Sequence, residues 1–84
     1  METNEKQVSN NIKAQIKKYG LNINKLADIM GVSRPTISQI VNHPFKTNLI
    51  KLNRLADSIG CNINDFFVPL HIANSDKEVL WNYI

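Results

Sequence analysis

Five residues in one short stretch could read the edges of nucleic-acid bases: Arg34, Pro35, Ser38, Gln39 and Asn42. Gln39 can bond adenine through N6 and N7, and Arg34 can reach guanine O6 and N7 or a phosphate. Pro35 donates nothing, but its ring could contact a thymine methyl group. On a helix turning roughly 100° per residue, Ile37, Ile40 and Val41 define a buried side. Pro35, Ser38, Gln39 and Asn42 fall opposite, with Arg34 and Thr36 on the flanks, and none of them is acidic. The alternative is a plain solvated helix surface. Such surfaces usually mix Glu, Lys and Asp, which this face lacks.

Contacts to phosphate set the register of a protein on a duplex without reading its sequence. They would come from residues around that helix: Lys25, Ser33, Thr36, His43, Lys46, Thr47 and Asn48, with Lys46 first on charge. A helix beginning after Thr47 or Asn48 would also turn free backbone amides toward a phosphate. For Lys13, Lys17 and Lys18 a solvated helix face is the stronger reading. The charge balance favours a polyanion partner for this part of the chain. Nine basic residues and one acidic residue, Asp28, lie between Lys6 and Arg54, whereas Leu55 to the end holds Lys77 against Asp57, Asp65, Asp76 and Glu78. A basic body joined to a mildly acidic tail suits a polyanion-binding face, although charge alone does not decide it.

The elements that must hold these residues are short helices. Val8, Ile12, Ile16 and Tyr19 mark one face of a first helix that Gly20 ends. Asn22 caps a second carrying Ile23, Leu26, Ala27 and Met30, and Gly31 stops it in a left-handed turn. Ser33 caps the third, with Ile37, Ile40 and Val41 inward, and Asn42-His43-Pro44 closes it. Thr47 or Asn48 caps a fourth with Leu49, Leu52, Leu55, Ala56 and Ile59, ended by Gly60. Asn62 starts a one-turn fifth around Ile63, Phe66 and Phe67, and Pro69 stops it. The body is thus all-α with short connections. Two of its helices meet across Gly31-Val32-Ser33, and Ala27 leaves room there for a close, steep crossing: a helix-turn-helix geometry.

The stretch Asn22 to Asn42 resembles the Cro/repressor, or XRE-type, helix-turn-helix family of phage and bacterial transcription regulators. The resemblance rests on Leu26-Ala27, Gly31-Val32-Ser33, Ile37-Ser38 and Ile40, and continues through Leu52, Leu55-Ala56, Ile59-Gly60 and Ile63-Asn64-Asp65-Phe66. It covers about Val8 to Phe67 and implies a compact five-helix DNA-binding domain over residues 1–67. Two positions depart from the family pattern. Ile23 stands where a phosphate-bonding Gln is common, so Asn22, Asn24 or Lys25 would take over that contact. Asn42-His43-Pro44 replaces the usual Asn-Gly turn after the recognition helix.

Residues 68–84 carry no family resemblance. Val68, Leu70 and Ile72 alternate as in a short extended segment, and Ser75 with Glu78 has the spacing of a capping box ahead of a last helix. Val68, Leu70, Ile72, Val79, Leu80, Trp81, Tyr83 and Ile84 are more apolar surface than one amphipathic stripe needs. The tail either thickens the core or forms a two-fold interface, a dimerisation element for the body before it.

Other chemistries find no support. Cys61 is the single cysteine, so an internal disulfide and a zinc cluster are excluded. His43 and His71 lie apart with no metal-ligand spacing, and Asp57 and Asp65 show no acid–base pairing. No cofactor, metal or enzymatic activity is expected. An 84-residue chain buries only about 60% of its unfolded surface, which leaves no deep cleft. No apolar run approaches the roughly 20 residues a membrane span needs, and no signal-peptide pattern opens the chain. The expectation is a cytoplasmic regulator, a repressor on a palindromic operator, with double-stranded DNA and a second copy of itself as partners. The same module could serve as an antitoxin whose tail binds a toxin, or as a restriction–modification controller. A protein-interaction adaptor is the reading from another class.

Overall fold

A computed structural model describes residues 4–68. They form α1 (Glu5–Lys18), α2 (Ile23–Met30), α3 (Arg34–Asn42), a 3₁₀ turn (Pro44–Lys46), α4 (Leu49–Ile59) and a second 3₁₀ turn (Ile63–Phe66). Asparagine begins most of these elements. The side-chain oxygens of Asn4, Asn22 and Asn48 accept from the amides of Gln7, Lys25 and Lys51 at 2.8, 2.9 and 2.8 Å. Each satisfies one of the amides that a first helical turn leaves without an intrahelical partner. Ser33 does the same for α3, accepting from Thr36 at 3.4 Å. Asn62 opens the second 3₁₀ turn, and its own amide donates back to Asp65 at 3.2 Å.

The turn between α2 and α3 depends on Gly31 at φ +69. Val32 N then donates to Ala27 O at 3.0 Å, closing the end of α2 before Ser33 starts α3. Nothing lies within 4 Å of where a Cβ would project from Gly31, so its requirement is conformational rather than steric.

One apolar core is shared by the four α-helices and the second 3₁₀ turn. Val8, Ile12 and Ile16 of α1, Leu26 and Ala27 of α2, Ile37, Ile40 and Val41 of α3, and Leu52, Leu55, Ala56 and Ile59 of α4 converge on it. Phe66 closes it with no exposed surface. Asn11 is buried in this apolar setting, where an unpaired amide would be costly. Its Nδ2 donates to Phe66 O at 2.9 Å and also to Val68 O, joining α1 to the end of the described chain.

Four expectations are corrected. Tyr19 lies on the periodic face, yet α1 ends at Lys18 and Tyr19 becomes its cap, with its side chain 46% exposed. Lys18 Nζ instead rests 5.8 Å from the centre of that ring, within cation–π range. Leu49 is 67% exposed, because the first residue of α4 sits about 70° off the middle of its buried stripe. Phe67 caps the second 3₁₀ turn and is half-exposed, while Phe66 alone enters the core. The one-turn fifth helix is itself 3₁₀, so the body has four α-helices and two 3₁₀ turns. The extended segment expected through Leu70 and Ile72 and the helix expected after Ser75 lie outside the described residues.

Ala27 is buried where α2 packs on α3 and α4. Ala27→Leu forces methylenes into a filled contact and is expected to cost about 1–3 kcal/mol. A thermal melt reads this directly. An unchanged melting curve would remove the close helix crossing from this account.

Candidate nucleic-acid interface

The side of α3 away from the core carries the residues expected to meet bases. Arg34, Pro35, Gln39 and Asn42 are exposed and Ser38 is half-buried, while Ile37, Ile40 and Val41 are buried behind them. Pro35 occupies the first turn, where a missing amide hydrogen breaks no helical bond. Two side-chain bonds order this surface. Asn42 Nδ2 donates to Ser38 Oγ at 3.1 Å, and the Ser33 and Thr36 hydroxyls lie 2.8 Å apart. Arg34 and Gln39 stand outside both pairs.

Grooves flank the helix on either side. One, of 480 Å³, is lined by Pro35, Thr36, Gln39 and Ile40 of α3 and by His43, Lys46, Thr47, Asn48 and Lys51. It gathers five of the proposed phosphate contacts: Thr36, His43, Lys46, Thr47 and Asn48. Thr47 Oγ1 is buried there with no hydrogen-bond partner among the described residues. A buried hydroxyl ordinarily has a partner, and this one is closed off from solvent beside the cationic groove. Asn48 begins α4 beside it, and the helix N-terminus adds partial positive charge.

The other groove, of 650 Å³, lies between α3 and the α1–α2 connection. Asn22 lines it together with Ser38 and Asn42, and so do Lys13 and Lys17. Asn22 Oδ1 is already engaged in capping α2 through Lys25 N. Asn24 and Lys25 are exposed at the start of α2 but line neither groove. Ser33, also exposed, spends its hydroxyl on Thr36.

Lys51 is the residue that sequence reasoning passed over. It stands three positions after the Asn48 cap and lines the groove with α3 residues, a placement that only the packing of α4 beside α3 reveals. Lys13 and Lys17, read as solvated, are exposed and also border the groove beside α3.

Cys61 has no sign of activation. Burial, and secondarily the Asp65 carboxylate, push its thiol upward, which disfavours the reactive thiolate. Among the described residues no group of three His, Cys, Asp or Glu side chains could hold a metal ion. Nor is any described helix long and apolar enough to cross a membrane.

Residues 12–66 match the family model described as helix-turn-helix. That span takes in α2, α3, α4 and both 3₁₀ turns and leaves out the first turns of α1. No curated protein and no solved structure matches the chain.

Proposed function

The chain belongs to the Cro/repressor type of the helix-turn-helix family, a DNA-binding and non-enzymatic family, and we propose that it is a sequence-specific transcriptional repressor. It binds a palindromic operator as a homodimer. Residues 1–67 form the DNA-binding domain, and residues 68–84 contribute the contact between copies. Arg34, Pro35, Ser38, Gln39 and Asn42 read base edges from the major groove. Thr36, His43, Lys46, Thr47 and Asn48 hold the phosphate backbone on one side, joined by Lys51. Asn22, Asn24, Lys25 and Ser33 approach it at the other end of the motif. Repression follows from occupancy, because a protein seated on an operator excludes other proteins from the same groove.

The observation that carries this reading is the pairing of two surfaces. An exposed, acid-free α3 face lies beside a groove edged by Lys46 and Lys51. One face supplies hydrogen-bond selectivity and the other supplies affinity that does not depend on sequence. Two copies are required because one short helix spans only a few base pairs.

Selection from a random duplex library with the full chain tests the proposal. The expected product is a palindrome whose half-sites lie about 34 Å apart, one turn of DNA. A bound pool with no enriched sequence would overturn specific recognition, and an enriched single half-site would overturn the two-copy arrangement. On the selected duplex, Lys46→Ala should weaken binding to all sequences alike and reduce the salt slope by about one. A substitution that altered preference at one base while leaving the slope intact would move Lys46 off the backbone.

A further inference from the structure

Glu5 stands at the start of α1, outside the family-matched span, yet it touches the connection that borders the cationic groove. Its Oε2 accepts from Phe45 N at 3.3 Å, across 40 positions of sequence. Its Oε1 lies 4.0 Å from His43 Nδ1. One carboxylate thus meets both the residue that caps α3 and the middle of the following 3₁₀ turn. The rest of that connection is held locally. His43 N donates to Gln39 O at 2.8 Å, Lys46 N donates to His43 O at 3.0 Å, and Pro44 is buried. None of these fixes the turn against another helix by a polar bond; Glu5 does.

We infer that Glu5 is a positioning residue for the DNA backbone contact. It holds the segment from His43 to Asn48 against α1, so that Lys46 and the first amides of α4 meet a phosphate together. The inference rests on the DNA-binding reading above. It also runs against simple electrostatics, which makes it testable. A carboxylate near a phosphate backbone repels it, so mere removal of that charge should strengthen binding to any duplex.

Two substitutions separate the roles. Glu5→Gln removes the charge but keeps a side-chain oxygen able to accept from Phe45 N–H. Glu5→Ala removes both. The readouts are affinity for the selected duplex and for a random one, and amide hydrogen exchange at Phe45 with Ile12 and Leu55 as core references. Glu5→Ala should speed exchange at Phe45 while Ile12 and Leu55 keep their protection. Its affinity should fall about three- to tenfold on both duplexes, the worth of one ordinary hydrogen bond. Glu5→Gln should keep Phe45 protected and bind at least as tightly as the unaltered chain.

Equal or tighter binding by both variants would make Glu5 a bystander charge and overturn the inference. Parallel loss of protection at Phe45, Ile12 and Leu55 would make it a general stabiliser, which also overturns it. If the unaltered chain bound no duplex, the DNA-binding reading would fail by itself. The exchange at Phe45 would then still report whether Glu5 holds the turn.

Discussion

Phe66→Ala is expected to destabilise the domain by about 3–5 kcal/mol, the usual cost of truncating a fully buried aromatic side chain. A domain of this size holds about 4–13 kcal/mol in all, at about 0.05–0.15 kcal/mol per residue, so much of its margin would disappear. Phe66 has no exposed surface, and it sits in a 3₁₀ turn packed on both α1 and α4. Truncation opens a void between the helices that this turn brings together. The bond from the Asn11 side-chain amide to the Phe66 carbonyl, 2.9 Å long, resists collapse into that void because it ties the turn to α1. Phe66→Leu should cost less, since most of the volume is kept. Urea denaturation followed by circular dichroism measures both. A cost below about 1 kcal/mol for Phe66→Ala would mean that the turn decorates the core rather than closing it.

The importance of Phe66 illustrates what can be read from a sequence and what cannot. Ile37, Ile40 and Val41 declared the inner side of α3 because helical spacing reports a face directly, and all three are buried. Asn22, Gly31, Ser33 and Gly60 declared their boundaries because caps act within one turn and need no distant partner. Between Thr47 and Asn48 the sequence left the α4 cap open; Asn48 takes it, and the buried Thr47 hydroxyl has no partner among the described residues.

Contacts between distant parts of the sequence had no such signal. The bond from Asn11 to Phe66 spans 55 positions, and an asparagine inside an apolar stripe looks locally like an interruption. Glu5 reads as an ordinary acidic residue in the first turn of a helix, a favourable place for it by the helix dipole alone. Its reach to Phe45 appears only once α1 and the Pro44–Lys46 turn are side by side. Period also misleads at helix ends. Tyr19 and Leu49 hold apolar positions on paper, but each sits where the helix begins or stops and the core no longer covers it. The outer face of α3 was legible for a related reason: the residues proposed to meet bases share one helix face. Lys51 belongs to a different helix and needed the fold to bring it there.

Gln39→Ala and Arg34→Ala are each expected to cost about 1–3 kcal/mol on the selected operator and to relax preference at one base position. Both side chains are exposed on α3, and neither belongs to the Asn42–Ser38 or the Ser33–Thr36 pair. They are therefore available to a duplex without first breaking a bond on the protein. Neither contributes to the buried core, so the melting temperature should stay within the range of an ordinary surface substitution, about 0.5 kcal/mol. The two differ in their effect on random DNA. Gln39 is neutral, so Gln39→Ala should lower affinity for the operator and leave random duplexes unaffected. Arg34 carries charge, so Arg34→Ala should weaken both, more strongly on the operator if the guanidinium reads guanine. Competition titrations of each variant against operator and random duplex, at two salt concentrations, resolve these outcomes. If Gln39→Ala bound both duplexes as the unaltered chain does, the outer face of α3 would not be the reading surface. If Arg34→Ala lost the same factor on both, Arg34 would hold a phosphate, and base selectivity would fall to Gln39, Ser38 and Asn42.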